Sequence, residues 1–425
     1  MNKNSEKPPV FAFWRRFHAV AGVIVTPFLL VAALTGFFYA LAPTLEQAVY
    51  HDEMTAASHA PARPLAEQVR AAQEVHPDLE LSEVEVSDDP AATTRVLFAD
   101  ATLPNSSYSR AVFIDPGDAS VRGDLVQYGS ARALPLRTWL SEGHRSLWLG
   151  SAGRWYSELA ASWMGALAIV GTYLWCARKK CGTSRRQKVL TWHSRVGIVL
   201  LPGLLFLTVT GLTWSGVAGG NIGTLREHLD WMPPQPTTQV DTISADPARQ
   251  VDTVARVARE QGLTGLINLT PPTADNGAWI AAEARESYKP HMNAVTIDAA
   301  SGTVIDRVDF ADWPLPAKLS EWLVNAHMGF LFGIWNQLAL AAVGAACRLL
   351  RHRPAVRGVS VAFPRRGGAY FSPSGLIFIS EFFHRPDRVM VSWSMSASAG
   401  ASPSELVRSS YFCTAPQSRA QSWLR

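Results

Sequence analysis

Charged residues and cysteines are scarce in this sequence, and each shortage excludes a class of protein. Only 17% of the 425 residues are charged while 48% are hydrophobic, a balance too apolar for an ordinary soluble enzyme and typical of a membrane protein. The formal net charge of +4 is too small to indicate a nucleic-acid partner. All four cysteines lie outside residues 43–154 and 217–326, so these two polar segments have no disulfide framework.

Long apolar runs are abundant instead. A helix of about 20 apolar residues crosses a hydrocarbon core of about 30 Å. Four runs meet or approach this length, and we predict membrane spans at residues 18–42, 155–177, 193–216 and 327–350. The predicted fold class is therefore a membrane α-helical protein with a four-helix transmembrane bundle that contacts lipid.

Basic residues cluster on one side of the predicted spans. They occur in the N-terminal segment 1–17, in the loop 178–192 between the second and third spans, and in the sequence RLLRHR at the end of the fourth. Cytoplasmic loops carry an excess of Lys and Arg, so we predict that these regions are cytoplasmic. The two long segments, residues 43–154 and 217–326, are then extracytoplasmic.

Both extracytoplasmic segments have the pattern of a small α+β domain. Predicted helices and strands are, in the first, a helix at 65–75 with strands at 79–86, 94–98 and 110–114, and in the second, a helix at 247–261 with strands at 266–269 and 278–282. Each segment closes with an Asp/Gly turn, in FIDPGDASVRG and VTIDAASGTVID. We predict one helix on a short antiparallel sheet in each segment. The chain then has the form of a tandem duplication whose halves are related by an axis along the membrane normal.

Four histidines recur at equivalent positions of the two halves. His18 and His193 begin the first and third spans in the pattern His-x3-Gly-x4-Pro-x7-Thr-Gly. His144 and His327 lie at or just before the second and fourth spans in the pattern Trp-Leu-x3-His-x5-Gly. The predicted topology places the first pair near the cytoplasmic face and the second pair near the outer face.

Paired imidazoles from facing helices are the axial ligands of a six-coordinate b-type haem. We therefore predict that His18 with His193, and His144 with His327, bind the iron of two haem b groups. The alternative for each histidine taken singly is an interfacial or hydrogen-bonded residue, which is common at a membrane boundary.

Residues near these histidines are candidates for supporting roles. The basic side chains that could contact haem propionates are Arg15, Arg16 and Arg195 inside, and Arg137, Arg145 and Lys318 outside. The glycines that would let a flat macrocycle approach the backbone are Gly22, Gly197, Gly150 and Gly333. The dipeptides Thr35-Gly36 and Thr210-Gly211 indicate close helix contact. Glu158 is either a proton relay or quinone contact, or an interfacial residue beside Arg154.

The span motifs together resemble the PepSY-associated transmembrane family, often described as iron-regulated membrane proteins. The resemblance rests on WRRFHAVAGVIVTPFLLVAALTGFFYAL, TWHSRVGIVLLPGLLFLTVTGLTW, LSEGHRSLWLG and LVNAHMGFLFG, and covers about residues 12–347. It implies a bacterial inner-membrane protein with a cytoplasmic N-terminus and two periplasmic PepSY-like domains. Some relatives are haem-containing reductases of ferric siderophores, which implies the haem-ligand role for His18, His144, His193 and His327.

The sequence departs from this family pattern after Ala346. Members usually continue the fourth helix, whereas residues 351–425 are rich in Arg and Ser and lack helical periodicity. We hypothesise that this atypical tail is either a frameshift product, beginning near codon 347, or disordered. An apolar continuation in another reading frame of the DNA would support the frameshift.

Two functions from different classes fit these observations. The first is a di-haem oxidoreductase that carries electrons across the membrane to a ferric siderophore, with a quinone or a cytoplasmic reductase as donor. The second is a membrane-anchored PepSY-type binding or regulatory module without redox activity. Transport of the chelate itself is less favoured, because the spans have few central polar residues apart from the histidines.

Overall fold

The computed structural model describes residues 9–177, 184–238, 246–272 and 277–351. The helices in this part of the chain are α1 Pro9–Val49, α2 His51–Met54, α3 Leu65–Val75, α4 Pro135–Ser146, α5 Gly150–Cys176, α6 Arg185–Thr213, α7 Val217–His228, α8 Pro247–Glu260, α9 Leu315–His327 and α10 Gly333–Arg351, with a 3-10 turn at Phe310–Asp312. The strands are β1 Glu80–Val86, β2 Thr94–Ala99, β3 Tyr108–Ile114, β4 Val121–Tyr128, β5 Ile267–Thr270, β6 Trp279–Glu283, β7 Ala294–Asp298 and β8 Thr303–Val308. The tail for which we hypothesise a frameshift lies outside the described residues beyond Arg351.

Three helices of the described chain are long and apolar enough to cross a membrane, namely α1, α5 and the part of α6 from Gln187 onwards. A fourth helix, α10, has a shorter apolar part, Gly333–Cys347. Helix α1 packs against α5 and α10, and α6 packs against the same two helices. Apolar side chains such as Val23 and Val199 are 76% and 78% exposed on the outside of this group. Such a surface is unfavourable in water and suits lipid.

All eight strands form one antiparallel sheet in the order β4-β3-β2-β1-β5-β6-β7-β8. Strands β1 to β4 form one meander and β5 to β8 form another. The two meanders join where β1 pairs with β5, with Val84 opposite Leu269 and Val86 opposite Ile267. The sequence predicts the strands closely but predicts a separate sheet in each segment. The edges of β1 and β5 would then have unpaired backbone groups, and pairing with each other satisfies them.

The two faces of the sheet are covered differently, because successive side chains of a strand point to opposite sides. Helices α3 and α8 cover one face, with Val84, Phe98 and Trp279 in the shared core. The opposite face buries a smaller cluster that includes Leu97 and Phe113. Helices α3 and α8 also contact each other, so both halves of the chain contribute to the larger core.

Two short helices connect the sheet to the apolar helices, and each carries a histidine in its last turn. These are α4 with His144 and α9 with His327. The turn after α4 has left-handed backbone at Leu147, Trp148 and Gly150, with φ of 52°, 57° and 56°. The turn after α9 has it at two glycines, Gly329 and Gly333, with φ of 85° and 51°. We call each of these helix-turn-helix units, α4–α5 and α9–α10, an elbow.

Candidate functional site

A cavity of about 840 Å³ lies among the apolar helices. Its lining extends along α1 from Phe11 to Ala40, which is about 44 Å of helix at about 1.5 Å per residue. The cavity is at the upper end of the range of about 300–1,000 Å³ for ligand pockets. The four histidines singled out by the sequence all line it: His18, His144, His193 and His327.

The first pair, His18 of α1 and His193 of α6, meets across the cavity. Their ring centres are 6.3 Å apart and the ring planes are inclined at 75°. Two imidazoles on opposite sides of one metal ion, each with a bond of about 2 Å, have ring centres about 6 Å apart. The separation therefore leaves room for one metal ion between the two rings.

The surroundings of this pair fit a flat macrocycle. Gly22 and Gly197, one turn after each histidine, line the cavity, and a Cβ atom at either position would meet nothing within 4 Å. A Cβ atom on Gly171 of α5 would be 3.1 Å from Cε1 of His18, so that glycine makes room for the ring. The residues present thus leave space for a porphyrin against the backbone.

Backbone groups of the second apolar helix of each half lie beside these two imidazoles. The backbone of Leu167 in α5 is next to His18, and the backbone of Leu350 in α10 is next to His193. Each ring is therefore oriented by its own half of the chain and faces the ring of the other half.

The second pair, His144 and His327, is held by hydroxyl groups. Oγ1 of Thr35 lies 3.1 Å from Nδ1 of His144, and Oγ1 of Thr210 lies 2.7 Å from Nδ1 of His327. The ring of Tyr39 stacks on His144 with centres 5.9 Å apart and planes inclined at 9°. The two histidines are also close enough to interact electrostatically.

The Thr-Gly dipeptides have a role beyond the helix contact that the sequence predicts. Besides the bonds from Thr35 and Thr210, a Cβ atom on Gly36 would be 3.0 Å from Cε1 of His144. Thr35 and Gly36 of α1 thus form the surface against which the imidazole of α4 rests. The sequence repeats the dipeptide, but only the fold brings it to a histidine 109 residues away.

The basic residues near the cavity differ in part from those predicted. Arg15 and Arg145 line it as expected. Arg137 instead forms a buried ion pair with Glu46, at 3.0 Å between Nη2 and Oε1, and Lys318 donates to the carbonyl of Ala311. The sequence prediction of propionate contacts for Arg137 and Lys318 is therefore not supported by where these two side chains point.

Two further basic residues line the cavity that sequence reasoning did not select for it, Arg154 and Arg285. Arg285 follows β6 and pairs with Glu321 of α9, at 2.6 Å between Nη2 and Oε1. Arg145 donates to the hydroxyl of Tyr128 at 2.7 Å. No local motif marks Arg285, because its approach to the cavity depends on the path of the sheet above the helices.

Glu158 of α5 makes a contact that the sequence did not predict. Its carboxylate accepts hydrogen bonds from the backbone N–H groups of Val217 and Ala218, at 2.9 Å and 2.7 Å. These are the first residues of α7, whose free N–H groups favour an anionic partner. Glu158 therefore caps a helix of the other half of the chain.

Three apolar helices of membrane-spanning length and a covered antiparallel sheet define a membrane protein with an α+β part. A family model described as the PepSY-associated TM region matches residues 15–351. The chain therefore belongs to this family, which confirms the resemblance seen in the span motifs. A search of individually curated proteins found no match to the chain.

Proposed function

We propose that this protein is a di-haem redox protein of the bacterial inner membrane that passes electrons across the membrane to reduce ferric siderophores in iron acquisition. The observation that carries the proposal is the pair His18 and His193, 6.3 Å apart between ring centres in a cavity that all four candidate histidines line. That spacing would let the two imidazoles hold one haem iron between them, and we assign a second haem to the duplicated pair, His144 and His327.

A tandem duplication that forms a four-helix transmembrane bundle is the architecture behind this proposal. Equivalent positions make equivalent contacts in the two halves: Thr35 with His144, and Thr210 with His327. The two meanders of the sheet also have the same strand order. In this arrangement α10 is the fourth span, and each haem would have one ligand from each half.

In this proposal the histidines, arginines and leucines that line the cavity have different roles. The histidines would hold two b-type haems, which supply one-electron transfer when bound. Arg15 at the inner end supplies positive charge that can pair with a haem propionate, whereas Arg145 and Arg285 at the outer end already pair with Glu142 and Glu321. Leucines in between, such as Leu30 and Leu204, exclude water from the middle of the cavity.

The outer end of the cavity is where we place delivery of electrons to the ferric chelate. Fe(III) is held by the hard oxygen ligands of a siderophore, and its reduction to Fe(II) weakens that hold and releases the metal. The sheet would lie in the periplasm, where the chelate arrives. The electron donor would be a quinone or a cytoplasmic reductase at the inner face, and the N-terminus would be cytoplasmic.

Purified full-length protein tests the proposal by absorbance and haem count. We expect two haems per chain, with a Soret band and α bands that appear on reduction with dithionite. His18→Ala and His144→Ala should each leave one haem, and the spectra of the two should differ because different haems remain. His59→Ala, an exposed histidine of the polar segment, is the matched control and should keep both.

Rapid mixing of the reduced protein with a ferric siderophore tests the electron acceptor. We expect reoxidation of the haems at the same rate at which Fe(II) is formed. A folded protein without colour would contradict the proposal and favour the membrane-anchored binding or regulatory module.

A further inference from the structure

Two threonines at equivalent positions each contact an imidazole and backbone carbonyls of their own helix. Oγ1 of Thr35 lies 3.1 Å from Nδ1 of His144 and 2.9 Å from the backbone oxygen of Val31. Oγ1 of Thr210 lies 2.7 Å from Nδ1 of His327 and 2.7 Å from the backbone oxygen of Phe206. The same three-group chain of imidazole, hydroxyl and helix carbonyl therefore occurs in both halves.

The positions of the hydrogens in this chain follow from what each group can donate. A hydroxyl carries one hydrogen, and a carbonyl oxygen carries none. If the hydroxyl of Thr210 donated to His327, its oxygen and that of Phe206 would face each other at 2.7 Å with no hydrogen between them. The hydroxyl must therefore donate to the carbonyl and accept from the ring, which places the ring proton on Nδ1.

We infer that Thr35 and Thr210 are positioning residues that hold His144 and His327 in the Nδ1–H tautomer, with the lone pair of Nε2 available to a metal. A neutral imidazole has one protonated and one free nitrogen, so fixing the proton on Nδ1 prepares Nε2 as a ligand. The inference rests on the proposed function for the identity of that metal, the iron of the outer haem.

The inner histidines are held differently, which makes the inference specific to one haem. His18 and His193 lie beside the backbone groups of Leu167 and Leu350. His144 likewise lies beside the backbone of Ala32, but His144 and His327 each also contact a threonine hydroxyl, which a substitution can remove. Loss of a threonine hydroxyl should therefore change the outer haem alone.

Valine substitution of the full-length protein tests this, because valine keeps the shape of threonine and removes the hydroxyl. For Thr35→Val and Thr210→Val we expect affinity for the outer haem to fall by about 10- to 100-fold. The midpoint potential of that haem should become more positive, since an imidazole that no longer donates from Nδ1 stabilises Fe(III) less. The low-spin ferric EPR signal of the same haem should shift in both variants.

Two further variants separate the bond from general damage to the fold. Thr35→Ser keeps the hydroxyl and should restore the affinity, potential and EPR signal. Thr213→Val removes a hydroxyl that bonds the carbonyl of Val209 at 2.8 Å on the same helix, and should change none of them.

The possible outcomes distinguish this inference from the proposed function. Two haems with unchanged potentials and EPR signals in both valine variants would overturn the threonine role and leave the di-haem proposal intact. A wild-type protein without haem would overturn the proposed function. The tautomer could then still be read from the ¹⁵N NMR signals of His144 and His327, and an Nε2–H form in the wild type would overturn the inference as well.

Discussion

At the scale of single residues, two carboxylates buried in the sheet have opposite electrostatic environments. Burial, together with the charge of Glu85, raises the pKa of Glu83 in β1 well above its ordinary value. Burial also acts on Glu283 in β6, but hydrogen bonds from the backbone of Thr264 and Asn293 outweigh it and lower the pKa. The folded protein therefore favours the protonated form of Glu83 and the ionised form of Glu283.

Stability should respond to pH in opposite ways at these two positions. Because folding raises the pKa of Glu83, the contribution of Glu83 to the free energy of unfolding falls as pH rises from the unfolded pKa towards the folded pKa. Because the pKa of Glu283 is lowered, its contribution is present above the unfolded pKa and is lost as pH falls through the folded one. At neutral pH, Glu83→Gln should raise the free energy of unfolding and Glu283→Gln should lower it, each by on the order of 1 kcal/mol.

Thermal unfolding of the detergent-solubilised variants between about pH 3 and pH 8 measures both effects, because this range extends to both sides of the ordinary carboxyl pKa of about 4. The difference in thermal stability between Glu83→Gln and the wild type should increase as pH rises. The difference in thermal stability between Glu283→Gln and the wild type should decrease as pH falls. A Glu83→Gln variant less stable than the wild type at neutral pH would contradict this account.

At the scale of elements, the elbow between α4 and α5 determines where His144 points. A Cβ atom on Gly153, in the first turn of α5, would lie 1.6 Å from the carbonyl oxygen of Ser146 at the end of α4. No side-chain rotation relieves a clash with backbone, so the two helices can meet at this angle only with glycine there. Left-handed Leu147 and Trp148 form the turn itself, at a conformational cost that non-glycine residues seldom bear.

Gly153→Ala should therefore open the elbow. We expect overpacking to lower the free energy of unfolding by about 1–3 kcal/mol or more. We also expect haem binding to weaken more at His144 than at His18. Thermal unfolding and haem content per chain measure the two effects. Gly220→Ala in α7 is the control, because a Cβ atom there meets nothing within 4 Å and alanine favours helix by up to about 1 kcal/mol. Equal losses of stability and haem in Gly153→Ala and Gly220→Ala would contradict this role of the elbow.

At the scale of the whole molecule, the two halves of the chain contact each other at several places. Strands β1 and β5 pair at the centre of the sheet. Asp252 of α8 accepts hydrogen bonds from the backbone N–H groups of Leu65 and Ala66 at the start of α3, at 2.7 Å and 3.1 Å. Glu158 of α5 caps α7. Helices of one half thus depend on side chains of the other, and we expect the halves to unfold together.

Proline at the junction of the two meanders tests this cooperation. Asn268 of β5 lies opposite Glu85 of β1, and proline there has no N–H to donate in a central strand. The backbone acceptor left without a partner costs about 1–3 kcal/mol. Calorimetry of Asn268→Pro should show a single transition at lower temperature, with Asn268→Ala as control. Two separate transitions, one of them unchanged, would instead indicate independent domains.

The sequence alone was sufficient for the parts of the protein that depend on local pattern. Apolar runs predict the long helices, and short strand-like runs predict strands such as β2 to within a residue, because both signals come from neighbours along the chain. Repetition of the motifs around His18 and His193 also selected two residues that meet across the cavity.

Tertiary structure alone decided which groups meet across long distances in the chain. The hydrogen bonds between Thr35 and His144, between Thr210 and His327, and between Glu158 and the start of α7 join residues separated by between 59 and 117 positions. The single eight-stranded sheet and the approach of Arg285 to the cavity likewise depend on segments that are distant in the chain. Hydrogen bonds and edge pairing between distant segments leave no periodic signal in the sequence. They form because a buried donor, acceptor or strand edge without a partner is unfavourable.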